Sequence, residues 1–187
     1  MENVNLQAIM ESKTKFEKVW ESIDRNHRIL YFQIDEDDAG IPAHFHPYGE
    51  DSAIILQGEL TYDISFEHQV KAIENEIVFG WTNYVHGYHN NSHSPLHILL
   101  FATPEQNPSV YEQNEFMIHK DKSVRKTKLT QHFEKNSSSR MIFSVGVIEK
   151  YKPNIFVYNW TTKKLREIKP SEHYPLLNQG CLYIYFQ

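Results

Sequence analysis

The sequence predicts an all-β fold, an antiparallel β-barrel with extra strands toward its C-terminal end. Three observations predict it: short runs rich in aromatic and β-branched residues, turn signals spaced regularly between them, and no sustained helical spacing of apolar residues. The eleven Phe and eleven Tyr among 187 residues agree, because flat, stiff rings pack well on a pleated surface. In order, the runs are FEKVWES from Phe16, RILYFQI, AHFH, SAIIL, ELTYDIS, EIVFGW and HILLFAT, divided by DEDDAG, HPYGED, Gly58, AIENE and NNSHSP. Ahead of them, residues 2–14 read as a short helical arm at the terminus.

Residues 1–104 are therefore assigned to one barrel with an N-terminal arm. Residues 105–139 are polar and lysine-rich, and read as a connection with one helical turn that ends in a loop at Asn136, Ser137, Ser138 and Ser139. Strand-like runs resume over residues 140–187 as MIFSVGVI, NIFVYNW, KKLREI and CLYIYF, with a turn at Asn159 to Thr162. This last segment is too short for a complete barrel. It either adds strands to the first barrel's sheets or is the eroded half of a duplicated one.

Composition narrows the partners. The net charge of −5 conceals an acidic first part and a basic segment beyond residue 104, where Lys120, Lys122, Arg125, Lys126 and Lys128 lie close together. With acidic residues dominating elsewhere and no nucleic-acid-binding motif in sight, that cluster reads as a solvated linker, and no nucleic-acid partner is expected. The single Cys181 cannot form an internal disulfide, and the N-terminus lacks the basic-then-apolar layout of a secretory signal, so a cytoplasmic location is expected. No apolar run approaches the ~20 residues needed to cross a bilayer, so no membrane association is expected.

The chemistry is carried by histidine. His44 and His46 flank Phe45 in a strand-like stretch, and a period of two sends both imidazoles to one face and Phe45 to the other. Four positions on, Glu50 can bend its carboxylate back toward that face; Asp51, directly after it, offers a second carboxylate. His86 is the candidate third imidazole, with His89, His93 and His97 as nearby rivals. Three nitrogen donors and one carboxylate suit a divalent transition metal (Fe, Mn, Ni, Co, Cu or Zn) rather than Ca or Mg, which prefer oxygen shells.

The stretch GIPAHFHPYGEDSAIILQGEL resembles the first sequence motif of the cupin superfamily, with Gly40, His44, His46, Glu50 and Gly58 at its marked positions. ENEIVFGWTNYVHGYHN resembles the second, with His86 and Asn90 in its His-x-x-x-Asn ending. The resemblance spans residues 28–103 and implies a double-stranded β-helix, or jelly roll, holding one ion through His44, His46, Glu50 and His86. It also implies a reaction menu of dioxygenases, isomerases, lyases and decarboxylases acting on a small polar molecule that chelates the ion. The rival reading is a sensor or carrier that binds such a ligand without turning it over. Tyr88 shares parity with His86 and is the candidate catalytic side chain, while Tyr48, Trp81 and His97 are candidates to line the substrate pocket. Exposed sheet edges make a homodimer the expected assembly.

Overall fold

Strands dominate the computed structural model, which describes residues 3–103, 109–113, 125–136, 141–146, 154–169 and 180–186. The chain divides into two compact units, one formed by Thr14–Thr127 and the other by Met1–Lys13 with Lys128–Gln187. The N-terminal arm thus belongs with the C-terminal strands. It consists of β1 (Val4–Asn5) and a one-and-a-half-turn helix α1 (Leu6–Glu11). Asn5 ends β1, where it lies opposite Lys164, and its side chain caps α1 by accepting from the Ala8 N–H at 3.4 Å. The helix is therefore shorter than the 2–14 span expected from sequence.

The Thr14–Thr127 unit contains β2 (Phe16–Glu21), β3 (Arg28–Ile34), β4 (Ile41–His44), β5 (Glu50–Gln57), β6 (Glu59–Asp63), β7 (Gln69–Ile73), β8 (Glu76–Gly80), β9 (His86–His89) and β10 (Leu96–Thr103), with β11 (Lys126–Lys128) at its end. One sheet has the order β11-β8-β5-β10-β3-β2 and the other β4-β9-β6-β7. The strands pair antiparallel in a nested order: β3 with β10, β4 with β9, β5 with β8, β6 with β7. A long antiparallel ribbon folded so that its successive pairs alternate between two sheets is a jelly roll, or double-stranded β-helix. The hairpin at its centre, β6 to β7, stays within one sheet.

Alternation along each strand decides what lies between the sheets. Leu30, Ile34, Ala53, Ile55, Val78, Ile98 and Leu100 from the first sheet meet Leu60, Tyr62, Ala72 and Tyr88 from the second in one buried cluster. Gly58 turns β5 into β6 with φ 92°, and a Cβ there would sit 2.9 Å from the Pro95 carbonyl, so the tight turn requires glycine. Asn90, the last residue of the second sequence motif, is also structural. Its amide donates to the carbonyls of Ile34 and Ser94, both at 2.8 Å, and its Oδ1 accepts from Ser92, which ties the β9–β10 turn to the end of β3.

β7 departs from the sequence reading, which placed AIENE in a turn. Gln69, Lys71 and Ile73 face water while Val70 and Ala72 face inward, and β7 is the last strand of its sheet. An edge strand with one wet, polar face lacks the apolar density by which a strand is recognised.

The second unit has a six-stranded sheet of its own, ordered β1-β15-β14-β16-β13-β12, with β12 (Phe133–Asn136), β13 (Met141–Val145), β14 (Ile155–Asn159), β15 (Lys164–Glu167) and β16 (Cys181–Phe186). The C-terminal strands therefore do not extend the sheets of the jelly roll. Ile142, Ile155, Val157, Ile168, Cys181, Tyr183 and Tyr185 form an apolar cluster on this sheet, and Cys181 is one of its buried members. Asn136, expected in a loop, instead ends β12, so the connection is not irregular throughout; Ser137–Ser139, and Lys120 and Lys122 of the basic cluster, lie outside the described residues.

Candidate metal centre

The register of β4 against β9 sets His44 directly opposite His86. Residues paired across an antiparallel ladder project to the same face, so the pairing brings two motifs forty residues apart onto one spot. The imidazole centroids of His44 and His86 are 4.4 Å apart, and that of His46 lies 4.9 Å from the first and 5.1 Å from the second. Asp51, from β5 in the facing sheet, completes the group: one donor atom from each of His44, His46, Asp51 and His86 lies within 4.8 Å of the other three.

The carboxylate is thus Asp51 rather than Glu50. On β5 the inward positions run through Ala53 and Ile55, which belong to the buried cluster between the sheets, and period two puts Asp51 on that face and Glu50 on the other. Glu50 is buried as well, and its Oε1 accepts from the Thr82 hydroxyl at 3.2 Å. The sequence held both acids, and only the direction of the pleat separated them.

Each imidazole is held through Nδ1. His44 Nδ1 donates to the Pro42 carbonyl at 2.7 Å and His86 Nδ1 to the Tyr84 carbonyl at 2.9 Å, so both rings present a lone pair at Nε2. Pro42 is tolerated because β4 ends its sheet, and the register shift between Ile41 and His44 gives the local irregularity. His46 Nε2 lies 3.0 Å from Asp51 Oδ2, and its Nδ1 is 3.2 Å from the Ser109 hydroxyl. His86 is packed against Gly80, whose Cβ, if it had one, would lie 2.9 Å from the imidazole and 2.2 Å from the Asp51 carbonyl oxygen. Only glycine leaves room for that ring.

Burial, then the neighbouring His86, pushes the His44 imidazole down to about 4, and burial lowers His86 as well. For Asp51 burial works upward, but the hydrogen bond from His46 and the closeness of the His46 and His86 imidazoles outweigh it and hold the carboxyl well below the usual range. At neutral pH His44 and His86 therefore offer neutral imidazoles and Asp51 an ionised carboxylate, the protonation states a metal needs. The donor set fits a divalent transition ion, and His86 Nε2 is buried with no hydrogen-bond partner, an orphaned lone pair aimed into the group.

The three rival imidazoles are engaged elsewhere. His89 Nε2 pairs with Asp63 at 2.6 Å, His93 is exposed and pairs with Glu36, and His97 Nδ1 meets the Tyr31 hydroxyl at 2.7 Å. His97 alternates with Ile98 and Leu100, which face the core, so it points away from the barrel interior and does not line a pocket there. Tyr48 is 63% exposed, while Trp81 stacks on Phe79 with centroids 4.7 Å apart. Tyr88 does point inward as expected, 6.1 Å from His86 between ring centroids. Burial first, then Tyr62 and Asp51, raises its phenol well above 10, so it is a proton holder and not a base at neutral pH.

Sequence reasoning missed Arg125. Read as part of a solvated linker, it is 3% exposed: Nε donates to the Phe79 carbonyl at 2.6 Å, Nη2 to the Val85 carbonyl at 2.7 Å, and the guanidinium lies over the rings of Tyr62 and Tyr84. Next to it, Lys126 pairs with the buried Glu76 at 3.0 Å. Arg125 thus clamps the residues that precede Gly80 and His86. Arg125→Ala is expected to destabilise the unit by about 2–4 kcal/mol, because two carbonyls lose charge-assisted bonds; denaturant unfolding measures it, and a loss under about 0.5 kcal/mol, the range of an ordinary surface substitution, contradicts the clamp.

The nested strand order defines the fold, a double-stranded β-helix, and the converging histidines and Asp51 give it a cluster able to hold a metal. No protein-family model matches the chain, and no curated protein is significantly similar to it. Solved structures similar to it include a protein with a double-stranded β-helix domain from Klebsiella pneumoniae (19% identity, 54% of this chain and 88% of that one, TM-score 0.44). Others are a cupin-2 domain protein from Shewanella frigidimarina (10%, 55% and 94%, TM-score 0.45) and an RmlC-like cupin from Desulfovibrio desulfuricans (23%, 50% and 85%, TM-score 0.39). Among the described residues, no helix is long and apolar enough to cross a membrane.

Proposed function

We propose that the chain is a metal-dependent cupin enzyme whose ion is held by His44, His46, His86 and Asp51 and which acts on a small polar molecule able to chelate that ion. The supporting observation is the convergence of these four donors within 4.8 Å, with two imidazoles already locked by backbone carbonyls in the tautomer that leaves Nε2 open. Bound there, a divalent ion would act as a Lewis acid or redox centre for a ligand in its remaining positions. The chain's own part is to fix the donors, to shield them by burial, and to supply hydrogen-bond donors: burial drives the Tyr62 phenol up to about 12 and raises Tyr88, so both keep their protons.

That same protonation favours a second reading, a cupin that binds its ligand without turnover, because neither phenol is poised as a general base. The two separate in one assay. Protein loaded with Fe(II) or Mn(II) is incubated with a panel of small acids, sugars and thiols, following oxygen uptake and product formation. Turnover of any member that His86→Ala abolishes supports the enzyme. Tight binding with no product across the panel supports the binder, and absence of metal uptake overturns both.

A further inference from the structure

Val110 pairs with Phe45, the residue directly after β4, which is the last strand of its sheet. Phe45 and Val110 form an antiparallel bridge, with N–H to carbonyl distances of 3.0 and 2.8 Å in the two directions. Antiparallel partners step in opposite directions, so this one bridge sets Ser109 opposite His46 and Tyr111 opposite His44. The side chains follow: the Ser109 hydroxyl is 3.2 Å from His46 Nδ1, and the Tyr111 ring lies 5.3 Å from that of His44. A segment more than sixty residues away in sequence thereby becomes a wall of the site.

The three imidazoles are not held alike. Carbonyls accept at Nδ1 of His44 and His86, and a carbonyl can do nothing else, so those rings carry their proton on Nδ1 whether or not an ion is present. His46 differs, because its Nε2 faces the Asp51 carboxylate at 3.0 Å and its Nδ1 faces a hydroxyl. A hydroxyl both donates and accepts.

We propose that Ser109 is a positioning residue of the metal centre, whose hydroxyl lets His46 carry its proton on either nitrogen and so lets the His46–Asp51 hydrogen bond give way to an ion. The inference rests on the metal reading above. Without an ion, His46 Nε2–H donates to Asp51, and Ser109 O–H donates to the Nδ1 lone pair. With an ion at Nε2, the proton resides on Nδ1 and donates to Ser109 Oγ, whose own hydrogen turns away. One proton leaves Nε2 for solvent and one arrives at Nδ1 from solvent. The proton count of the ring is unchanged.

Imidazole nitrogen NMR of the 15N-labelled protein tests this, with Zn(II) as the probe, alongside Co(II) titration followed by visible absorption. Metal-free protein is expected to show His46 protonated on Nε2 while His44 and His86 are protonated on Nδ1, and Zn(II) is expected to switch His46 alone. Ser109→Ala should weaken Co(II) binding about 10-fold, the scale of losing an outer hydrogen-bond partner, and Ser109→Thr should restore it. If metal-free His46 already carries its proton on Nδ1, or if Ser109→Ala binds Co(II) as tightly as wild type, the proposal is overturned while the metal site stands. Wild-type protein that binds neither ion removes the metal reading and this inference with it. Should Ser109→Ala fail to fold, the tautomer switch in wild-type protein decides alone.

Discussion

Replacing His86 by alanine is expected to take metal content from one ion per chain to a small fraction of that, and to do so without unfolding the protein. His86 is fully buried, its Nε2 makes no hydrogen bond among the described residues and faces Asp51 Oδ2 at 3.7 Å, and its register sets it directly opposite His44. Losing a direct donor should cost more than the roughly 10–100-fold that loss of an outer-shell partner costs. His44→Ala is expected to behave in the same way. Glu50→Gln is the contrasting variant, since Glu50 faces away from the donors, and it should keep its ion, whereas Asp51→Asn should lose affinity. Metal analysis of the purified variants, with circular dichroism as the control for folding, reads all four. Full metal retention by His86→Ala, or loss by Glu50→Gln with retention by Asp51→Asn, would falsify the assignment.

The second large effect is on acid stability of the metal-free protein. His44 titrates at about 4 in the folded chain against 6.5 for the free side chain, so the unfolded state binds the extra proton first as pH falls. Such a depressed group contributes stability that is fully present above pH 6.5 and is lost progressively down to about pH 4, where the folded ring also protonates. The size is about 3.5 kcal/mol at about 1.4 kcal/mol per unit. His86, lowered in the same direction, adds to this slope, and Asp51, held below 3.8, extends the loss further into acid. His89 acts oppositely. Its hydrogen bond to Asp63 raises it above 6.5, so its contribution is present below that value and fades as pH rises through the folded value.

Urea unfolding of metal-free protein from pH 4 to 8 should therefore show stability climbing between pH 4 and 6.5, with the climb reduced in His44→Gln. A flat profile over that window would mean that the ring is not buried neutral. Bound metal should steepen the acid loss, because the same protons compete with the ion for Nε2.

How much of this was legible in the sequence differs from residue to residue. His44 and His46 were legible because period two is a local property, and nothing tertiary is needed to know that both rings leave the strand on one side. His86 was legible as a candidate, but its three rivals were eliminated only by what each touches in the folded chain. His97 was misplaced for a related reason. Sequence can say that a residue is near a loop or on a strand, but the face that becomes interior depends on which sheet packs against which. Arg125 looked solvated because its sequence neighbours are charged, while its surroundings in space are two carbonyls and two tyrosine rings.

By itself, then, the sequence determined the all-β class, eleven of the strands in their order along the chain, and the histidine pair of a candidate metal site, because turn chemistry and side-chain alternation act over a few residues. Tertiary structure decided the rest: Asp51 over Glu50, the place of Arg125, the separate C-terminal sheet that takes in β1, and the wall formed by Ser109 and Tyr111. Each of these depends on register between strands distant along the chain. Register is settled by the summed burial of whole sheet faces, which no local window of residues contains.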